Sequence, residues 1–214
     1  MSIILNNQTF NNGGSATFNN NSLNEIKFGS YTVWKKEIKL LSDTSAWTLV
    51  ETLGDYRVAT LSGGVLTCSA HYWSDGGPRA YAWRQLTPCT GVSRISFEYK
   101  NDVNTFAQAA TYVGIVGYAR DPYYGTGTNA GGSDRYYSAI NADDAYKIGS
   151  TRYIMFPTGS GSTSSGGGTA HNSWTSYTFN FGSTVNISNY YFIVSCSVQG
   201  STSGSVSIRN LVAT

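Results

Sequence analysis

Residues 174–214 constrain the fold of this chain more than any other stretch. At 174–181 (WTSYTFNF) aromatic and polar residues alternate with a period of two, the pattern of a strand with one face in a core and the other in water. Residues 190–198 form a second run, aromatic and β-branched. A polar turn at 199–204 leads into 205–212, which alternates again and turns Val206, Ile208 and Leu211 inward. Three strands in succession cannot bury their apolar faces on each other, so a second sheet must cover them.

Earlier segments supply that sheet. Strand-like runs occupy 47–50, 56–61, 65–70, 79–86, 92–100, 109–118 and 152–156. The sequence Ser62-Gly63-Gly64 separates two of them, and Gly-Gly between strand patterns is a hairpin signal. Ile95, Phe97 and Tyr99 share one face of the 92–100 run, while 109–118 is apolar and punctuated by glycine, as in a central strand. The only helical candidate is the short, weakly patterned stretch 139–148. Trp47 and Trp174 lie on periodic strands and are expected in the core; Trp83 is expected beside a loop. The fold class is therefore all-β, an antiparallel β-sandwich.

Three units follow. Residues 1–36 combine short strands with Asn- and Gly-rich turns, which tolerate the left-handed backbone of tight turns. They close in a β-hairpin in which Ile26 and Phe28 share a face and Gly29-Ser30 makes the turn. Residues 37–45 read as a polar linker or a strand extension, and 46–214 as the sandwich. A module of 36 residues buries too little to stand alone and is expected to dock on another surface.

Composition narrows the function classes. Charged residues make up 12% of the 214 residues, against about 25% in ordinary globular domains. Their place is taken by 24 Gly, 16 Tyr and many Asn, Ser and Thr. Net charge is +2 and the longest basic run is Lys35-Lys36, which gives nucleic-acid binding no electrostatic support. No apolar run approaches the roughly 20 residues of a membrane helix, so membrane insertion is not expected. The N-terminus has no pattern of a secretory signal. The odd set Cys68, Cys89 and Cys196 argues against a disulfide framework and for buried free thiols, with a Cys68–Cys89 bridge as the alternative.

Two resemblances add to this. Leu5, Asn6, Asn7 and Phe10, with the run LNEIKFGSYTVWKK at 23–36, resemble an N-terminal segment of bacteriophage tail, baseplate and fibre proteins, in which a Val-Trp closes the hairpin. Here Gly29-Ser30 stands where an Asn-Gly turn is usual. Over 46–214, the Gly-Gly hairpin, the strand SRISFEY at 93–99, the loop-rich middle, WTSYTFNF and SVSIRNLV at 205–212 resemble jelly-roll carbohydrate-binding modules. The resemblance implies a jelly-roll sandwich. It also implies a structural calcium site through an Asp-Asn pair, but Arg209-Asn210 stands in that place, so no metal and no cofactor is expected.

No catalytic constellation is evident. Acid pairs such as Glu98 with Asp102, or Asp143 with Asp144, have no supporting motif. His71 and His171 have no partner at metal-ligand spacing. The glycine-rich 159–168 stretch lacks the Gly-Lys-Ser/Thr of a phosphate-binding loop. The positive signal is loops that combine rings with hydrogen-bonding groups, suited to the flat C–H faces and hydroxyl rims of sugars. Two loops qualify: His71, Tyr72, Trp73, Asp75 and Arg79; and Tyr123, Tyr124, Asp134, Arg135, Tyr136 and Tyr137.

The expectation is a non-enzymatic virion protein, made in the host cytoplasm. It would attach to other virion proteins through residues 1–36, form a homo-oligomer (a trimer by resemblance) and present a jelly roll to a host cell-surface glycan. A capsid decoration or head-fibre protein and a carbohydrate-active enzyme or binding module are the alternatives.

Overall fold

The computed structural model describes residues 2–5, 8–11, 16–18, 21–23, 25–28, 31–52, 57–71, 79–103, 109–117, 145–155, 171–198 and 203–214. Three local hairpins come first: β1 (Ser2–Leu5) with β2 (Gln8–Asn11), β3 (Ala16–Phe18) with β4 (Asn21–Leu23), and β5 (Glu25–Phe28) with β6 (Tyr31–Lys35). The last is the hairpin expected from the sequence, with Phe28 opposite Tyr31. After them come β7 (Ile38–Lys39), a 3₁₀ turn at Thr44–Ala46, β8 (Thr48–Thr52), β9 (Arg57–Ser62), β10 (Val65–His71) and β11 (Arg79–Gln85). The rest are β12 (Thr90–Val103), β13 (Ala109–Val116), β14 (Lys147–Ile148), β15 (Thr151–Arg152), β16 (Ile154–Met155), β17 (His171–Asn186), β18 (Tyr191–Val198) and β19 (Ser203–Ala213).

One sheet has the strand order β17-β12-β19-β10-β9, with β7 added along β19; the other runs β16-β13-β18-β11-β8. All of these pairings are antiparallel. The chain crosses between the sheets at almost every connection from β10 to β19. The eight strands β10–β13 and β16–β19 thereby make two four-stranded layers, β10-β19-β12-β17 and β11-β18-β13-β16. This is jelly-roll winding, and it bears out the all-β sandwich. The closing strand β19 lies between β10 and β12, so the C-terminus locks the middle of its sheet.

The core forms where the inner faces meet. Ile95, Phe97 and Tyr99 of β12, Phe179 and Phe181 of β17, Val206, Ile208 and Leu211 of β19, and Leu66 and Cys68 of β10 face Val113 and Ile115 of β13 and Phe192, Val194 and Cys196 of β18. Phe192 is fully buried. Its ring lies 5.7 Å from Phe97, 6.5 Å from Phe179 and 6.4 Å from Trp47, edge-on or tilted in each case, as aromatic quadrupoles prefer.

Local backbone chemistry sets the register. Gly63 and Gly64 have φ of 57° and 74°, the left-handed pair that a two-residue hairpin requires, and Ser62 pairs with Val65 across them. On β19, Asn210 has φ of 53° and the register with β12 shifts between Ser96 and Glu98. This bulge resets the alternation. It lets Val206 and Ile208 face inward before it and Leu211 and Ala213 after it.

Within the stretch 37–45, residues 38–41 are built into the sandwich. β7 pairs with Val212 and Ala213, Leu40 N donates to the Leu211 carbonyl at 2.9 Å, and Leu40 and Leu41 are buried. The Leu40 carbonyl accepts from Trp47 Nε1 at 3.0 Å and from Arg84 Nη1. The weak helical candidate at 139–148 forms no helix over its described part: Ala145 bridges Val116 and residues 147–148 form β14. Helix propensity there is overridden by an aromatic cluster, in which Tyr146 packs 4.6 Å from Tyr190 and 5.5 Å from Tyr153, and Tyr153 packs 4.8 Å from Phe181.

Two predictions follow from the core. Phe192→Ala removes the ring that joins the sheets and should destabilise the fold by about 3–5 kcal/mol, read as a lower urea midpoint with unchanged slope. The three cysteines are free and buried, and burial pushes the Cys89 and Cys196 thiols up to about 12 and raises Cys68. A thiol reagent at pH 8 should leave all three unmodified in the native protein and modify all three in denaturant.

Candidate functional site on the outer face of the six-stranded sheet

The two sheets differ on their outer faces. On the five-stranded sheet, Tyr81, Tyr112, Val116, Ile193 and Ser195 point outward by register and are buried. Trp83 packs on this second cluster, edge-on to Tyr191 at 5.5 Å. Strands β13 and β18 are thus buried on both sides, and their sequences carry apolar residues in both phases. The outer face of the six-stranded sheet is polar and largely in contact with water. Its rows, set by register, carry Ser96, Glu98, Lys100 and Asp102 from β12, Ser176 and Thr178 from β17, Ser205, Ser207 and Arg209 from β19, and Thr67 and Ser69 from β10. Thr67 Oγ1 and Ser207 Oγ share a hydrogen bond of 2.9 Å.

Trp174 is the large ring on this face. On β17 the inward residues are Thr175, Tyr177, Phe179 and Phe181, paired with Tyr99, Phe97 and Ile95 or continuing their phase. Trp174 is out of phase with them. It is therefore half-buried on the outer face and not in the core where sequence periodicity had placed it. The Arg209 guanidinium carbon lies 4.3 Å from its ring centroid and the Lys100 ammonium 5.2 Å. Three adjacent strands thus contribute one ring and two cations, all within cation–π range.

Glu98 holds this arrangement in place. Its carboxylate accepts from Arg209 Nε at 2.9 Å and Arg209 Nη2 at 3.3 Å, the two-pronged geometry that fixes a guanidinium. The bulge at Asn210 turns that amide outward, and its Nδ2 also donates to Glu98 Oε2. The Arg209 bonds, and then Asn210, hold the Glu98 carboxyl below the usual carboxylate range. Glu98 and Asp102 stand four residues apart along β12, about 13 Å of backbone, and the Glu98 carboxylate is turned to Arg209 and Asn210. Among the described residues, no group of three or more His, Cys, Asp or Glu comes together as a metal-ligand set. At the position where resemblance implied a calcium-binding Asp, Arg209 meets Glu98 with a positive charge.

Of the residues expected to contact a glycan, His71 ends β10 and is exposed, and Arg79 opens β11. Tyr72, Trp73, Asp75, Tyr123, Tyr124, Asp134, Arg135, Tyr136 and Tyr137 lie outside the described residues. The strand ends that bound the two loops are far apart. Arg79 pairs with Ser197 at one end of β18, and Val116 pairs with Tyr191 at the other, about 20 Å away at the usual rise per residue. Sequence reading missed the cluster of Glu98, Lys100, Trp174, Arg209 and Asn210. The signal was the phase of Trp174 against Tyr177, Phe179 and Phe181.

No protein-family model and no curated protein sequence matches the chain. Among solved structures, the chain is similar to the enzymatically active domain of tailspike protein 4 of Bacteriophage CBA120, with 13% identity, a TM-score of 0.36, and coverage of 80% of this chain and 19% of that one. A cleaved adhesin domain of Lys-gingipain gives 17% identity and a TM-score of 0.31, covering 79% and 90% of the two chains. A carbohydrate-binding module specific for non-crystalline cellulose gives 12% identity and a TM-score of 0.32, covering 78% and 86%. These values are too low for likeness to extend to function, which is read below from the chain's own residues.

The Glu98 network has a pH signature. A carboxyl whose folded pKa lies below its unfolded value, about 4.3 for Glu, stabilises the fold above that unfolded value. The contribution is lost as pH falls through the folded value. Carbon-detected NMR should show Glu98 titrating below the ordinary range in the wild-type protein and returning towards it in Arg209→Ala. A Glu98 midpoint that ignores the substitution would contradict the ion pair.

Proposed function

We propose that this chain is a non-enzymatic, glycan-binding component of a virion, with its jelly roll turned to a host surface. The observation that carries the binding part is the half-buried Trp174 on a mostly polar sheet face, with Lys100 and Arg209 over its ring and Glu98 and Asn210 beside them. An indole offers the apolar C–H face of a pyranose a flat partner, while neighbouring polar groups reach its hydroxyls. The exposed His71, at the end of β10 in the same sheet, extends this surface.

The virion part is supported by the N-terminal hairpins, whose sequence resembles attachment segments of phage tail and fibre proteins. Through residues 1–36 the chain would join other virion proteins. Self-association is supported by β17. This edge strand has 16 residues, and among the described residues it pairs only with β12. It contains no Asp, Glu, Lys or Arg. Edge strands that stay single are usually guarded by charge, proline or brevity; this one is covered by a sister chain in a homo-oligomer, for which a trimer is the working symmetry.

An array of bacterial surface polysaccharides, probed with the wild-type protein and Trp174→Ala, tests the binding. The wild type should bind at least one class, and the variant should bind it about tenfold more weakly or worse. A folded wild type that binds none of them overturns the reading. Cryo-microscopy of particles should place the protein on the tail; density on the head shell would instead favour a capsid decoration.

A further inference from the structure

We infer that the Trp174 site selects acidic glycans, sugars bearing a carboxylate or another anionic group, over neutral ones. The inference rests on the glycan-binding reading above and concerns which sugars that site takes.

The evidence is the balance of donors and acceptors around the ring. Glu98 is the carboxylate in contact with the cluster. Three of its acceptor positions are occupied, two by Arg209 and one by Asn210. A guanidinium carries five N–H donors; Glu98 takes two, and three remain for a ligand. Lys100 is exposed and brings three more donors. Among the described residues the salt bridge on this face joins Arg209 to Glu98 and leaves Lys100 out. Asp102 stands one row along β12 on the same face, beside Ser205. It lies away from the ring, at a strand spacing of about 7 Å from Lys100.

Within reach of the indole, then, the charged groups left for a ligand are donors, and the one carboxylate there is already engaged. A neutral sugar hydroxyl finds neutral acceptors on this surface and no charged one. A carboxylate only accepts. A sugar packed against the exposed part of Trp174, with a carboxylate turned to the cluster, would meet Lys100 Nζ and the N–H groups of Arg209 that Glu98 leaves unused, both cations lying over the ring. The Arg209 fork is already held in orientation by Glu98, so little ordering is needed when the anion arrives. Sulfate or phosphate on the ring presents the same acceptor chemistry, and the experiment separates these sources.

Calorimetric titrations would use polygalacturonate, dextran sulfate, a phosphorylated dextran and neutral dextran, with the full chain at moderate salt. The variants would be Lys100→Ala, which changes an exposed side chain and should fold, and Trp174→Ala. The expected result is binding of at least one acidic polymer, with neutral dextran at least tenfold weaker. Lys100→Ala should lower the acidic affinity by about tenfold, the loss of one charge-assisted contact, and lower any dextran affinity by less than that. Which of the three acidic polymers binds most tightly identifies the anionic group. Dextran binding equal to the acidic polymers, or an acidic affinity indifferent to Lys100→Ala, overturns the selectivity while the glycan reading stands. Acidic binding that survives Trp174→Ala marks a diffuse polyanion effect and also overturns it. If the protein binds no glycan here or on the polysaccharide array, the functional reading itself fails, and this inference with it.

Discussion

Everything in this molecule depends on two sheets closing over one apolar seam. Phe192, from the middle of the five-stranded sheet, meets Phe97 and Phe179 from the six-stranded sheet and Trp47 from the segment that closes the edge. None of these rings could be buried by its own sheet. The seam is assembled from residues far apart in sequence, so it fixes the winding as well as the stability. Once β18 is held against β12 and β17, β19 must enter between β10 and β12, and the jelly roll is complete.

Burial of the seam leaves two outer faces, and they follow different chemistry. Outward residues of the five-stranded sheet are mostly aromatic or β-branched, and they form a second buried layer. Outward residues of the six-stranded sheet are mostly Ser, Thr and charged groups, and that face stays in water. A binding surface therefore has one broad sheet face on which to sit. Three adjacent strands, the edge strand β17 and then β12 and β19, bring Trp174, Lys100 with Glu98, and Arg209 with Asn210 side by side.

That cluster is ordered by a charge pair that would count for little by itself, since exposed ion pairs contribute small and salt-dependent stability. Its consequence is geometric. Glu98 fixes the guanidinium of Arg209 against the indole, and the Asn210 bulge supplies a third bond to the same carboxylate. At the closed edge, Leu40 plays a comparable part with its backbone: its carbonyl gathers Trp47 and the buried Arg84, so residues 38–47 are tied to the core. In both places a polar group with several partners positions the apolar groups around it.

The sequence by itself determined the fold class. Period-two alternation can be buried on one side only in a sheet, and Gly63-Gly64 names its turn because few other residues accept two successive positive φ values. The inward faces of β12 and β19 could be read directly, down to Leu211. The sequence also supplied the free, buried state of the cysteines. It could not supply the site, because Trp174, Lys100, Glu98 and Arg209 become neighbours through register between three strands, and register is a tertiary property. The misplacement of Trp174 shows how fine the margin is: one residue of phase moves a ring from the core to the surface. The Asn210 bulge, the incorporation of 38–41 into the sheet and the strand at 147–148 were likewise decided by packing, where partners distant in sequence outweighed local propensity.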